Sequence, residues 1–208
     1  MTAEEKIKKA FLECYQNKYF DKITVKKVCQ NAKVSRATFY TYFEDLQSLL
    51  SEIESIILSE IGEILATWQY VSLEKVNYRQ QPFKVFLKCN EYVVKNYAAY
   101  VALWGKYANR SFTIKYHRMV EKSCYDKWIE EGFSIKIATL LAASAAGAII
   151  DSNELWITTY FKQNKHEINS DEKKFTAEEI ALHNTQVVGA LYELGLRLNR
   201  ENSKKDIF

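Results

Sequence analysis

The sequence predicts an all-α fold, and three observations carry that expectation. Glycine and proline are scarce, 6 and 1 among 208 residues, which leaves little punctuation for a chain of short strands. Apolar residues recur every three to four positions through most of the chain, and alternation of the strand kind is hard to find. Several segments open on a Ser or Thr placed to cap a helix, with a matching acid or apolar partner a turn later. An apolar share of 48% beside a charged share of 26% supplies ample core for one large or two modest domains.

Residues 2–18 read as the first helix. Thr2 and Glu5 form a capping box, and Ile7, Phe11, Cys14 and Tyr15 line one side, a stripe that should cover the elements that follow. Lys6, Lys8 and Lys9 read as a solvated face, with a nucleic-acid backbone as the other partner they suit.

Residues 23–50, I-T-V-K-K-V-C-Q-N-A-K-V-S-R-A-T-F-Y-T-Y-F-E-D-L-Q-S-L-L, read as two short helices joined by a tight turn and the start of a longer third. Thr24 can cap the first, with Ile23 and Val28 as a hydrophobic staple. Ser35 can cap the second, with Val34 and Phe39 in the same roles. Two helix starts this close together make a helix-turn-helix. No acid falls between Asp21 and Glu44, while Lys22, Lys26, Lys27, Lys33 and Arg36 are basic, so this surface attracts polyphosphate. The net charge of +3 does not announce nucleic-acid binding; the local cluster carries the inference. Arg36, Thr38, Tyr40, Thr41 and Tyr42 follow the Ser35 cap. An N-terminus so furnished suits a major groove, where Arg forks to a guanine edge and Thr and Tyr reach phosphate or a thymine methyl.

The run T-V-K-K-V-C-Q-N-A-K-V-S-R-A-T-F-Y-T-Y-F-E-D-L-Q-S-L-L resembles the DNA-binding domain of the TetR family of bacterial transcription regulators. The family pattern is roughly T-x-x-x-I-A-x-x-A-G-V-S-x-G-T-x-Y-x-Y-F-x-x-K-x-x-L. The resemblance implies that Arg36, Ala37 and Tyr40 approach bases, that Lys26, Thr38, Thr41 and Tyr42 meet bases or phosphates, and that Phe43 is core. With Lys33 and Ser35 in the turn, these are the candidate DNA-facing residues. Lys33 stands where the family usually has Gly, so the turn either holds a lysine at positive φ, at a cost of about 1 kcal/mol, or takes another geometry. Leu46 stands where the family usually places a phosphate-binding lysine, and Glu44 and Asp45 crowd the same place. The usual contact at the fourth helix is therefore expected to be weak or replaced, with Lys33 as the substitute.

From Leu46 the apolar positions Leu49, Leu50, Ile53, Ile57, Ile61, Ile64 and Trp68 predict a connector helix of about six turns. The sequence thus predicts a three-helix helix-turn-helix domain over 1–46, joined by this helix to a helical domain for dimerisation and effector binding over 47–208. A loop is expected near 72–81, with Pro82 in the first turn of the next helix. The segment 83–108 is apolar on more than one face and should hold two helices that break near Asn96. Residues 112–131 predict a further helix stopped by Gly132. Aromatic density here invites an apolar pocket lined by Trp68, Phe86, Cys89, Tyr92, Tyr100, Trp104, Tyr107 and Tyr116, for a small apolar or aromatic effector, against the plainer reading of core.

Residues 137–161 predict a helix rich in small residues, Ala142, Ala143, Ser144, Ala145, Ala146 and Gly147, that lets another helix approach closely. A polar loop follows over 162–174. Thr176 with Glu179, and Phe175 with Ile180, mark the start of a last helix carrying Ile180, Val187, Leu191, Leu194 and Leu198 as a packing seam. The resemblance implies that the last two helices form a homodimer interface; closing the monomer's own core is the alternative use.

Other chemistry finds little support. Cys14, Cys29, Cys89 and Cys124 are scattered, His117, His166 and His183 are isolated, and no metal-ligand spacing, cofactor loop or nucleophile elbow stands out, so no enzyme is expected. Cys29 reads as a small core residue, with redox sensing as its alternative. The N-terminus lacks the apolar core of a secretory signal, and the apolar run 137–150 is shorter than the roughly 18 residues a membrane span needs. The combined expectation is a cytoplasmic homodimeric regulator that binds palindromic double-stranded DNA, acts as a ligand-responsive repressor and needs no cofactor, metal or membrane. The alternative is a protein-interaction adaptor of the same fold with weak or no DNA binding.

Overall fold

The computed structural model describes residues 1–75, 77–160 and 175–205, all helices and connections with no strand among them. The helices are α1 Ala3–Tyr15, α2 Val25–Ala32, α3 Arg36–Tyr42, α4 Leu46–Ala66, α5 Lys84–Lys95, α6 Tyr97–Trp104, α7 Ser111–Glu130, α8 Ile135–Tyr160 and α9 Ala177–Lys205. Two compact units emerge, one of Met1–Glu60 with Asn96–Ile114, the other of Ile61–Lys95 with Lys115 onward. The division falls inside α4 rather than at its start near 46, and α6 joins the helix-turn-helix unit.

In the first unit the capping box opens α1. Glu5 N–H donates to Thr2 Oγ1 at 3.2 Å while Thr2 N–H donates to Glu5 Oε2 at 2.7 Å. Ile7, Ala10, Phe11, Cys14 and Tyr15 are its buried stripe. The helix ends at Tyr15, earlier than the expected 18, because Asn17 Nδ2 folds back onto the Glu13 carbonyl at 2.8 Å and satisfies the helix end from outside it. Lys8 lies 2.6 Å from both Glu4 and Glu52, which ties α1 to α4. The α6 segment is bound to α1 by polar contacts: Gln16 Nε2 donates to the Ala98 carbonyl at 2.8 Å and Asn109 N–H to Tyr15 Oη at 2.9 Å. Tyr100, Trp104 and Phe112 pack as a buried ring cluster with centroids 5.3–6.0 Å apart.

In the second unit the end of α4 buries Ile61 and Leu65, and a 3-10 turn over Thr67–Tyr70 brings Trp68 into the core. Leu65 takes the core place expected of Ile64, which is half-buried. Pro82 lies outside α5 instead of in its first turn. Phe83 opens the helix: its carbonyl accepts from Phe86 and Leu87 N–H, and its own N–H donates to Thr185 Oγ1 of α9 at 2.8 Å, a bond proline could not make. Gly132 stops α7 at φ 84° as expected.

Trp128 stacks on Phe133 and Tyr192, with centroids 5.8 and 6.4 Å away, at the centre of the α7, α8 and α9 packing. Between α8 and α9 lies a buried polar ladder in which Asn184 Nδ2 donates to Asn153 Oδ1 at 3.2 Å and Ser152 Oγ to Asn184 Oδ1 at 2.8 Å. Such a ladder pins the register of the pair, since sliding would strand polar groups. The Thr176–Glu179 capping box opens α9 as expected, and hydrogen bonds from Thr176 hold the Glu179 carboxyl below the usual range. α9 buries Ile180, Ala181, Asn184, Thr185, Val188 and Tyr192, whereas Val187, Leu191, Leu194 and Leu198 are half-buried. On α8, Ala142, Ala145 and Ala146 face inward, while Leu140 and Leu155 are 61% and 56% exposed. Residues Ile135–Thr158 of α8 are long and apolar enough to cross a membrane, unlike the shorter run counted in the sequence, yet one side of the helix is the core of this unit. Phe161, His166 and the stretch 162–174 expected as a loop lie outside the described residues.

Candidate nucleic-acid interface

The helix-turn-helix is assembled by local bonds that its residues dictate. Thr24 Oγ1 accepts from Lys27 N–H at 3.2 Å and opens α2. At its far end Lys33 takes the positive-φ alternative, φ 56° and ψ 45°. There its N–H meets the Gln30 carbonyl at 3.3 Å and Val34 N–H meets that of Cys29 at 3.1 Å, so two carbonyls at the helix end are satisfied. Those bonds offset a left-handed conformation that costs a residue other than glycine about 1 kcal/mol. Ser35 Oγ then accepts from Thr38 N–H at 2.9 Å and opens α3. Val28, Ala32, Phe39 and Phe43 are buried and fix the angle of the two helices against α1.

Most of the predicted residues are exposed on α2, the turn and α3. Lys26, Lys33, Ser35, Arg36, Ala37, Tyr40, Thr41 and Tyr42 are exposed and Thr38 is half-buried. Tyr40 and Tyr42 are 50% and 45% exposed, a large apolar area for water to meet without cause. Arg36 Nη2 donates to Tyr40 Oη at 3.3 Å, with the guanidinium 5.9 Å from that ring, and this hydrogen bond raises the Arg36 pKa further. Thr41 Oγ1 donates to the Ala37 carbonyl at 3.1 Å, so its methyl is the group left to face outward. At the start of α4, Asp45 Oδ1 accepts from Ser48 N–H at 2.7 Å while Asp45 N–H donates to Ser48 Oγ at 3.1 Å. The acid that crowds this place therefore caps the helix, beside a half-buried Leu46 and an exposed Glu44.

The eight pocket candidates are not brought together. Tyr100 and Trp104 fill the core of the first unit, and Tyr107 meets Tyr19 edge-on at 5.1 Å there. Trp68 and Phe86 touch at 5.5 Å in the core of the second. Cys89 and Tyr116 are buried, with the Cys89 thiol pushed up to about 12 by burial, and Tyr92 is half-exposed. A cleft of about 300 Å³ does open between α4 and α7, walled by Gly62, Leu65, Trp68, Met119, Lys122 and Lys127, and Trp68 is the one member of the eight that lines it. Apart from Trp68, the large rings buried among the eight, Phe86, Tyr100, Trp104 and Tyr116, pack as core. All four thiols are buried, and burial raises their pKa values, which disfavours the thiolate.

An all-helical chain that presents a capped, basic and aromatic helix behind a tight turn is a helix-turn-helix protein. No protein-family model matches it. The uncharacterised helix-turn-helix transcriptional regulator YxbF of Bacillus subtilis is 31% identical over 64 residues, which span 31% of this chain but only 17% of that protein. The helix-turn-helix transcriptional activator of the dhaKLM operon, DhaS of Lactococcus lactis, is 25% identical over 170 residues, 72% of this chain and 80% of that one. Among solved structures, a dihydroxyacetone kinase operon activator DhaS superposes with a TM-score of 0.56 at 19% identity over 93% of this chain and 96% of that one. A TetR transcriptional regulator from Streptococcus agalactiae gives 0.57 at 19% identity over 89% and 93%. The fold is that of the TetR regulators. In sequence the chain is similar to helix-turn-helix transcriptional regulators.

Proposed function

We propose that the protein is a cytoplasmic, homodimeric regulator that lays α3 of each protomer in successive major grooves of a palindromic operator. The observation that supports this most is the exposed face of α3, where Arg36, Tyr40 and Tyr42 stand clear of the core on a helix held rigidly by Ser35 and Phe39. Arg36 reads a guanine edge, Ala37 and the Thr41 methyl meet thymine methyls, and Lys26, Lys33 and Tyr42 meet phosphates. The dimer forms through α8 and α9, whose outer faces carry Leu140, Leu155, Leu191 and Leu194. A small effector with an apolar body and a polar edge enters the cleft beside Trp68 and Met119, where Lys122 and Lys127 supply the polar wall. To act, it must bind the DNA-competent and incompetent conformations unequally.

The relative DhaS is named as an activator, whereas occlusion of a promoter would make the regulation negative. Sites selected from random duplex, placed before a reporter, give the sign of regulation. Arg36→Ala should weaken binding to the selected site by about 1–3 kcal/mol and relax preference at one base position. Tyr40→Ala should weaken it too. Unchanged affinity in both variants would place the DNA-reading surface elsewhere, and no duplex binding at low salt would favour the protein-interaction adaptor, whose supporting feature is the acidic pair Glu44 and Asp45 at the start of α4.

A further inference from the structure

Within the helix-turn-helix unit, the start of α1 and the end of α2 enclose a groove of about 220 Å³. Lys6 and Lys9 stand on its α1 wall and Asn31 and Lys33 on its α2 wall. All three lysines are exposed, and among the described residues none of them forms an ion pair. Lys8, on the other side of the same turn of α1, is taken up by Glu4 and Glu52 at 2.6 Å each. Glu13 also lines the groove, a single carboxylate against three ammonium groups. The Asn31 amide is engaged with Cys14 Sγ at 3.4 Å, which orders that wall.

Three like charges held around one groove repel each other, and a compact anion removes that repulsion. Lys33 lies two residues before the Ser35 cap, so the groove adjoins the N-terminus of α3 along the chain. The start of α4 offers a phosphate nothing comparable, since Asp45 is engaged as a cap, Glu44 is exposed and Leu46 is apolar. We infer that this groove seats a backbone phosphate of duplex DNA, with Lys6 and Lys9 as phosphate-binding residues beside Lys33. The inference rests on the DNA-binding function proposed above. Such contacts anchor the reading head without carrying sequence information, because every nucleotide presents the same phosphate.

The test is the salt dependence of duplex binding by the full-length protein, for wild type, the double variant Lys6→Ala/Lys9→Ala, and Lys33→Gly, which removes the charge and suits the positive φ. Each lost phosphate contact lowers the slope of log K against log salt by about 1. Lys6→Ala/Lys9→Ala should show that decrease and bind several-fold more weakly to selected and random duplexes alike, with the ranking of sequences unchanged. Circular dichroism melts should stay at the wild-type temperature, since both side chains are exposed. A steep wild-type slope that the double variant leaves unaltered overturns the groove assignment alone. Absence of wild-type binding overturns the DNA function and this inference together. A third arm titrates inorganic phosphate without DNA: saturable binding lost in the double variant, with the duplex slope unchanged, would assign the groove to a free anion and overturn its place on DNA.

Discussion

Lys33 sets the turn between α2 and α3. Its side chain wants a negative φ, and the turn demands 56° so that its own N–H and that of Val34 can reach the last carbonyls of α2. The departure from glycine was visible in the sequence; which geometry the turn chose was not, because that choice depends on carbonyls satisfied only once α2 has ended. Lys33→Gly should therefore raise stability by up to about 0.5 kcal/mol, the strain relieved being partly offset by the greater entropy of glycine in the unfolded chain. A rise in melting temperature, measured together with the fall in salt slope, would separate the two properties that this residue joins. A lower melting temperature would mean that the lysine stem makes contacts worth more than the strain.

At the scale of elements, capping was the most legible feature. Thr2, Thr24, Ser35 and Thr176 all accept the backbone N–H expected of them, because a cap involves only four consecutive residues and no distant partner. Helix ends and the pocket were less legible. Pro82 gave way to Phe83 because Thr185, a hundred residues on, accepts the Phe83 N–H. The same long reach governs the segment around Tyr78, which is stapled to α9: the Tyr78 hydroxyl donates to Glu193, Gln186 Nε2 donates to the Arg79 carbonyl at 3.1 Å, and the ring packs against Gly189. A Cβ at Gly189 would collide with that ring. Gly189→Ala should cost about 1–3 kcal/mol of stability by overpacking. In a Tyr78→Ala background the same change should become neutral or stabilising, as helix propensity alone predicts. Additive effects in that cycle, read from denaturant midpoints, would show that the staple is not formed in solution.

At the scale of the molecule, the question is what α8 and α9 do with their outer faces. Both helices are already committed on one side, through the Asn153–Asn184 ladder and the Trp128 stack, yet Leu140 and Leu155 are largely exposed and Leu191 and Leu194 are only half-buried. The seam read from sequence was thus divided by the fold: Ile180 went inside, and Val187, Leu191, Leu194 and Leu198 were left half-buried. If a second copy covers them, Leu191→Lys/Leu194→Lys should convert a dimer to a monomer in sedimentation velocity and weaken operator binding by the loss of one reading head. A wild type that sediments as a monomer at micromolar concentration would end the dimer proposal.

The helical class, the position of the helix-turn-helix and its caps were determined by the sequence itself, because each depends on residues within a turn or two of one another. Only the tertiary structure decided which aromatic rings were core, that α6 joins the first unit, and that Lys6, Lys9 and Lys33 share a groove. The physical reason is one of range. Periodicity tells a helix which side is apolar, but what that side meets, and whether the meeting leaves a space, is settled by helices far away in the chain.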